Sequence, residues 1–133
     1  MFSIIIPTYN NLEYLKLCLS SINNNSKHKH EIVIHINEGS DGSLDYVKNN
    51  NFKHTYSKIN IGLCSGVNAA ASTATTNFIL YSHDDMYFCP GWDDILINEI
   101  NNLKTNAYYL SGTMIEKLSG HIQIDCGNDY KDF

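Results

Sequence analysis

Long hydrophobic runs, basic charge and paired cysteines are all scarce in this chain of 133 residues. No stretch approaches the 18 consecutive apolar residues that suggest a transmembrane helix. The first residues, 1–7, carry no basic segment and too short an apolar run for a signal peptide. We therefore predict a protein without a transmembrane segment, located in the cytoplasm.

Positive charge is also in short supply, because 9 Lys and Arg stand against 14 Asp and Glu, which gives a net charge of -5. Nucleic acid binding needs a basic footprint, so we do not expect nucleic acid as a partner. A single nucleotide is compatible with this charge, since a bound metal ion can neutralise its phosphates.

Several common functional motifs are missing as well. The sequence has no GxGxxG dinucleotide fingerprint, and no lysine follows Gly62–Gly66 as a P-loop requires. Residues 37–48 do not form an EF-hand, because Lys48 stands where that loop needs a glutamate. None of the four cysteines forms a CxxC pair, and their spacing suits no common zinc module; they are Cys18, Cys64, Cys89 and Cys126. We expect reduced thiols, with Cys18 buried on an apolar helical face.

What is present is an alternation of strand-like and helix-like segments along a single domain, residues 1–133. This alternation predicts an α/β fold with a mainly parallel sheet and helices on both faces. Pro7 is expected to end the first strand, because proline cannot donate to a sheet ladder. After the last helix, a strand over 107–115 and a turn at 117–120 predict a β-hairpin-like C-terminal end. The predicted strands are 2–6, 31–36, 52–57 and 78–81, and the predicted helices are 12–23, 44–47, 67–74 and 93–103.

Polar side chains cluster where three of the predicted strands end. The three segments are Pro7-Thr8-Tyr9-Asn10, Asn37-Glu38-Gly39-Ser40 and His83-Asp84-Asp85. The carboxyl ends of parallel strands meet at one edge of a sheet, where open α/β folds bind ligands, so we expect the segments to lie together. Each one alone is typical of an ordinary turn, and the prediction of a site depends on their convergence.

Two adjacent carboxylates, Asp84 and Asp85, follow the predicted buried strand 78–81. Neighbouring carboxylates repel each other and are costly to desolvate, and a bound cation relieves both costs. We predict a divalent metal at Asp85; the alternative is a solvated turn whose acids cap the next helix. The three segments together suit a nucleoside diphosphate, with its base on Tyr9, the base imide N–H on Glu38 and its pyrophosphate on the metal.

An ordered set of motifs runs through residues 2–103. It comprises Ser3–Asn10, Leu15-x-x-Cys18-Leu19-x-Ser21-Ile22, 31–33 leading to Glu38-Gly39-Ser40, Asn60-x-Gly62, Asn68, Ser82–Asp85 and Pro90-Gly91-Trp92. In order and spacing this set resembles the inverting family 2 glycosyltransferases of GT-A fold. The resemblance implies a GT-A, Rossmann-like fold and transfer of a sugar from a nucleoside-diphosphate sugar, preferably a UDP-sugar, to an acceptor with inversion. The sequence does not define the acceptor, whether glycan, lipid or protein, or the oligomeric state.

The resemblance also implies roles for residues at matching positions. Asp85 is the last residue of the family's metal motif and the implied ligand of Mn²⁺ or Mg²⁺. Glu38 stands where the family usually has an aspartate that contacts the base. For Asn60, Gly62 and Asn68, a structural role beside the donor site is an equally good interpretation. The implied nucleotide-sugar contacts are Pro7, Thr8, Tyr9, Glu38, Asn60, Gly62, Asn68 and Asp84.

Two departures from the family pattern qualify this hypothesis. His83 occupies the first position of the metal motif, where the family usually has an acid; imidazole can bind manganese, so His83 is a second candidate ligand. The family's catalytic base is an acid well downstream, and only Asp125, Asp129 and Asp132 lie late enough here.

We assign no base. The chain is then the donor-binding part of a longer protein, a very short enzyme, or a remnant that binds without turnover. The alternative function is therefore a non-catalytic nucleotide-sugar-binding module. A nucleotidyltransferase would need a glycine-rich, basic loop after the first strand, which 7–10 is not.

Overall fold

A computed structural model describes residues 1–105 and 107–112. Its strands pair in the order β3-β2-β1-β4, and every pair is parallel. The predicted α/β fold is confirmed. Strands and helices alternate as β1 (Phe2–Tyr9), α1 (Leu12–Asn25), β2 (Glu31–Asn37), α2 (Ser43–Asn49), β3 (Lys53–Ser57), α3 (Leu63–Ala71), β4 (Phe78–Tyr81) and α4 (Trp92–Asn102).

The two faces of the sheet are covered unequally. Successive side chains of a strand point to opposite faces, and Ile4 and Ile6 of β1 pack into a large core with residues of α1, α2 and α4. On the other face, Ile5 packs against the small residues of α3. A Cβ at Gly66 would lie 2.7 Å from Cδ2 of His35, so glycine lets α3 approach β2 closely.

Pro7 lies inside β1, so the prediction that it ends the strand is wrong. The N–H of Ser82 donates to the carbonyl of Ile5 at 3.0 Å, which means that the backbone of Ile5 faces β4. Backbone direction alternates along a strand, so Pro7 faces the same side. The register pairs β4 with β1 only as far as Tyr81, opposite Ile5. In the described part of the chain no strand at that side needs an N–H from Pro7, and β1 continues to Tyr9.

Strand β4 is an edge strand of the described sheet and is not buried, which corrects another prediction. Phe78, Ile79 and Tyr81 are 38%, 56% and 44% exposed. The apolar run predicts a strand, but burial depends on strand order, which the run does not encode.

The C-terminal prediction is corrected in part. Residues 107–112 form no strand, because strand propensity needs a paired neighbour to take effect. The rest of the predicted strand 107–115 and the predicted hairpin over 117–124 lie outside the described residues. Within the described residues, no helix is long and apolar enough to cross a membrane. Cys18 is buried as predicted, and Cys18, Cys64 and Cys89 form no disulfide.

Candidate functional site

An open cleft of about 320 Å³ lies at the carboxyl ends of β1, β2 and β4. It draws residues from all three segments that the sequence places at strand ends. A larger hollow of about 500 Å³ lies elsewhere, but its lining belongs to α1 alone, without converging elements; it consists of Glu13, Tyr14, Lys16 and Leu17. The cleft is therefore the candidate site. Its lining includes seven of the predicted residues: Pro7, Thr8, Tyr9, Asn60, Gly62, His83 and Asp84.

Asp84 is held in a fixed orientation at the β4 side of the cleft. The buried hydroxyl of Thr8 donates to its Oδ2 at 2.6 Å, and the side-chain amide of Asn11 donates to its Oδ1 at 3.2 Å. Thr8 reaches this position because β1 continues through Pro7. A carboxylate has about four acceptor sites, so Asp84 can still accept hydrogen bonds from a ligand.

The two predicted metal ligands differ in how available they are. Asp85 is exposed beside Asp84 and lies outside the cleft lining. The ring Nε2 of His83 is 3.0 Å from the hydroxyl of Tyr81, so Nδ1 is the nitrogen that could ligate a metal, in the tautomer in which Nε2 donates its proton to Tyr81. No group of three His, Cys, Asp or Glu among the described residues could hold a metal ion. A metal here would take one or two protein ligands and complete its shell with phosphate oxygens and water, as Mg²⁺ commonly does.

A buried thiol supports the loop that carries these acids. Cys18 of α1 donates from Sγ to the carbonyl of His83 at 3.7 Å. Burial, together with the negative charges of Asp84 and Asp85, raises the pKa of Cys18 to about 12. The thiol therefore stays protonated at neutral pH and remains a hydrogen-bond donor to the loop.

Asn37 is a residue of the cleft whose role the sequence did not predict. It is 3% exposed, ends β2 and pairs in register with Tyr9. Its Oδ1 accepts hydrogen bonds from the N–H of Ile61 at 2.9 Å and from the hydroxyl of Ser57 at 3.2 Å. Asn37 thereby ties the loop before α3 to the sheet. The available signal was an amide at the end of an otherwise apolar strand.

The loop after β1 supplies two asparagines whose contacts the sequence did not predict, Asn10 of the predicted polar segment and its neighbour Asn11. Asn10 has a left-handed φ of +47°, and its Oδ1 accepts from the N–H of Ser40 at 2.9 Å. Asn11 is the second partner of Asp84. Neither amide makes a side-chain cap hydrogen bond at the start of α1. Their amides instead join the loops after β1, β2 and β4.

Glu38 and Asn68 lie outside the cleft lining. Glu38 has a φ of +64°, its N–H donates to the carbonyl of Ser57 at 2.9 Å, and its Oε1 accepts from Ser40 Oγ at 3.1 Å. It is half-buried next to Asn37, at the rim. Asn68 is exposed on α3. Ligand contacts by these two residues stay predictions.

The fold of this chain is similar to that of solved structures. The chain is similar to the crystal structure of S. aureus TarS 1–349, with a TM-score of 0.63 and 24% identity. The similarity covers 74% of this chain and 31% of that one. TarS 1–349 in complex with UDP gives a TM-score of 0.63 and 23% identity, over 75% and 32%. The mannosyltransferase PcManGT from Pyrobaculum calidifontis, in complex with GDP-Man and Mn²⁺, gives 0.63 and 21%, over 79% and 32%. The fold is thus the GT-A, Rossmann-like fold.

Sequence comparison makes the assignment more specific. The sequence model of glycosyl transferase family 2 matches residues 3–123. The chain belongs to glycosyl transferase family 2, which confirms the resemblance seen in its motifs. It spans about a third of the length of the solved structures that it matches. None of the curated proteins compared with the chain matches it.

Proposed function

We propose that this chain binds a nucleoside-diphosphate sugar with the help of a divalent metal, as the donor-binding part of an inverting glycosyltransferase. The observation that carries the proposal is the polar cleft where Asp84, braced by Thr8 and Asn11, faces the ends of β1 and β2. Membership of glycosyl transferase family 2 supports the class of reaction.

The charge of the cleft supports a metal requirement. Its lining contains Asp84 and no lysine, and the sequence has no arginine at all. A nucleoside diphosphate brings further negative charge, which needs a positive partner. Asp85 is the proposed ligand of Mn²⁺ or Mg²⁺, with Nδ1 of His83 as a second donor. When bound, such an ion supplies stabilisation of the leaving diphosphate.

The remaining predicted residues fit a donor that lies along the edge of the sheet. Asp84 is oriented to accept hydrogen bonds from ribose or sugar hydroxyls. The ring of Tyr9 is 50% exposed and offers a surface on which a base can stack. Glu38 at the rim is proposed to accept the base N–H. We propose UDP as the preferred nucleotide; related structures were solved with UDP and with GDP-Man.

Inverting transfer needs a base that takes the proton of the acceptor hydroxyl as that hydroxyl attacks the anomeric carbon. The downstream acids Asp125, Asp129 and Asp132 lie outside the described residues, and we assign the role to none of them. We retain a single domain over 1–133 and a cytoplasmic location as proposals; among the described residues, Cys18 and Cys64 form no disulfide, which supports the latter. The acceptor is a glycan, a lipid or a protein.

A non-catalytic binding module is the second candidate, because we assign no catalytic base. Calorimetry with UDP and GDP, with and without Mn²⁺, tests binding, and release of sugar from UDP- and GDP-sugars tests turnover. Metal-dependent binding with sugar release supports the transferase. Saturable binding without release, even with acceptors added, supports the module. Absence of nucleotide binding with Mn²⁺ present overturns both.

A further inference from the structure

The two adjacent carboxylates lie on a loop without regular structure. Residues 82–91, which the structure describes in full, connect β4 to α4 and form neither a helix nor a strand. Asp84 has its own hydrogen bonds from Thr8 and Asn11. Asp85 is exposed, so packing does not fix its side chain, and its position depends on how the backbone of the loop is held.

Helix α1 directs three polar side chains at this loop. Cys18, Ser21 and Asn25 are three and four positions apart, so they share one face of the helix. Cys18 and Ser21 are buried, and Asn25 is half-buried at the last position of α1. Cys18 and Ser21 belong to the sequence motif over 15–22, whose leucines pack in the core. The thiol and the hydroxyl of that motif bond the loop.

The first contact lies beside the acids. The thiol of Cys18, which donates to the carbonyl of His83, also hydrogen-bonds the backbone of Met86 and the side chain of Ser82. Contacts from both ends of the segment 82–86 therefore meet at one buried thiol.

The second and third contacts hold the backbone of Phe88. The N–H of Phe88 donates to Oγ of Ser21 at 3.0 Å, while that hydroxyl donates its own proton to the carbonyl of Cys18 at 2.7 Å. Nδ2 of Asn25 donates to the carbonyl of Phe88 at 2.7 Å. A hydroxyl has one proton and a carbonyl can only accept, so the direction of each bond is fixed. The backbone carbonyl of Asn25 also accepts from the N–H of Gly91 at 3.0 Å, which attaches the loop to the end of α1.

These anchors bear on the acids because Phe88 is only three residues from Asp85. A loop that becomes ordered only when a ligand binds lowers the affinity, and a loop that is already held avoids that cost. Holding the backbone of Phe88 limits the positions that the carboxylate of Asp85 can take.

We propose that Ser21 and Asn25 are positioning residues of the metal site: they hold the backbone of Phe88, fix the loop that carries Asp85, and so raise the affinity for the metal-bound nucleotide. This inference rests on the proposed function. Neither residue lines the cleft, so both act through the loop and not by contact with the nucleotide.

The substitution Asn25→Asp tests the proposal with little change of shape. Aspartate puts an oxygen in the place of Nδ2, and this oxygen repels the carbonyl of Phe88. The measured quantity is the dissociation constant of UDP with Mn²⁺ present, by calorimetry under conditions where circular dichroism shows each variant to be folded. We expect about tenfold weaker binding, which is typical for loss of a residue that supports metal ligands.

Asn24→Asp is the matched control on the same helical turn. It adds the same charge, but Asn24 is exposed and its amide donates to Ser20 within α1 at 3.2 Å, so UDP affinity should stay unchanged. If Asn25→Asp does not fold, Ser21→Ala replaces it, because alanine removes the acceptor for the N–H of Phe88. The same loss of affinity is expected, and Ser20→Ala on the exposed face is then the control.

The double variant Asn25→Asp with Asp85→Asn separates positioning from stability. A residue that acts only through Asp85 has nothing left to position once that carboxylate is gone. The addition of Asn25→Asp to Asp85→Asn should therefore weaken UDP binding no further, whereas the effects of independent sites add.

Two results would overturn the inference and leave the proposed function intact. The first is a loss of UDP affinity in Asn25→Asp no larger than in Asn24→Asp, which would make the contacts purely structural. The second is full additivity in the double variant. If the wild-type chain binds no UDP with Mn²⁺ present, the proposed function fails and this inference fails with it.

Discussion

Glu31 at the amino-terminal end of the sheet and Asp84 at its carboxyl end are both carboxylates, but their surroundings differ. At the amino-terminal end of β2, Glu31 receives hydrogen bonds from the hydroxyl of Ser3, from Lys53 Nζ at 2.7 Å and from both the N–H and the hydroxyl of Thr75. These partners, Lys53 first, lower the pKa of Glu31 to about 2. At the carboxyl end, Asp84 has two neutral donors, and no lysine lines the cleft around it.

Asp93 repeats the pattern of the amino-terminal end. It is fully buried and accepts from the N–H groups of Lys27 and His28 and from Nε2 of His30. Burial alone would raise the pKa of Asp93, but these hydrogen bonds outweigh it and lower the value to about 2. Glu31 and Asp93 are therefore matched by donors and contribute stability. Asp84 at the carboxyl end keeps negative charge that is not balanced by a lysine of the cleft, as a ligand site requires.

Acid should have the largest effect, because it acts on both carboxylates of the stabilising end. Glu31 and Asp93 have folded-state pKa values of about 2, against ordinary values of 4.5 and 3.8. Between these values the unfolded chain binds more protons, so stability falls as the pH falls through that window. Burial lowers the pKa of His30, which adds a loss in the same direction below its ordinary value.

Thermal unfolding followed over a series of pH values from about 7 to 2.5 measures this effect. The midpoint should decline steeply below about pH 4.5. A midpoint that stays constant down to about pH 3 would show that Glu31 and Asp93 do not contribute the stability that we infer from their hydrogen bonds.

The substitution Asp85→Asn should have the next largest effect, and it should weaken UDP binding without lowering stability. Loss of residues that only support metal ligands costs about 10–100-fold in affinity, so we expect about 100-fold weaker UDP binding with Mn²⁺. Asp94→Asn is the control at the other end, where Asp94 bonds His28 at 2.8 Å on the surface. An unchanged UDP affinity in Asp85→Asn would remove Asp85 from the metal site.

Glu31→Gln should reverse that pattern and reduce stability without changing UDP binding. Hydrogen bonds to charged groups contribute about 1.5–3 kcal/mol each, and the amide keeps some of them, so we expect a loss of about 2 kcal/mol in urea unfolding. Glu13→Gln, in the exposed pair with Lys16, should stay within about 0.5 kcal/mol of wild type. Equal losses in the two variants would show that the network around Glu31 has no special role.

Thr8→Val should have the smallest effect. Valine keeps the shape of the buried side chain but removes the donor to Asp84, which frees the carboxylate to rotate. Net hydrogen-bond values of about 1 kcal/mol predict about fivefold weaker UDP binding. Thr76→Val makes the same change at the amino-terminal end of the sheet, where Thr76 contacts Ser3, and it should leave UDP affinity unchanged. If Thr8→Val binds UDP as tightly as Thr76→Val does, the hydrogen bond from Thr8 to Asp84 does not contribute to UDP binding.

The sequence predicts the order of strands and helices well, because the β-branched runs and helical spacings are local signals. It also predicts that polar segments meet at one edge, since parallel strands share an edge. It does not predict that β1 continues through Pro7, because this depends on where the neighbouring strand β4 ends. It does not predict the exposure of Ile79 either. That exposure depends on strand order, which is a property of the whole sheet.

The residues of the candidate site also differ in whether a local signal predicts them. Thr8 and Asp84 lie at or after strand ends and could be placed at the site from the motifs. The contacts of Asn11 and Asn37 could not be predicted, because their partners are 73 and 24 positions away in the chain and no motif connects them. Nothing in an asparagine's local sequence indicates whether its amide caps a helix, closes a turn or faces a ligand.

The exposed edge strand β4 bears on solubility as well as on the fold. Phe78–Tyr81 contains no charge and no proline, and an uncharged edge of this kind favours pairing with another copy of the chain. The charges nearest to it in sequence are Asp84 and Asp85, and charges beside an apolar strand disfavour its pairing with another copy. We therefore expect that removing the charge of Asp85 increases concentration-dependent association.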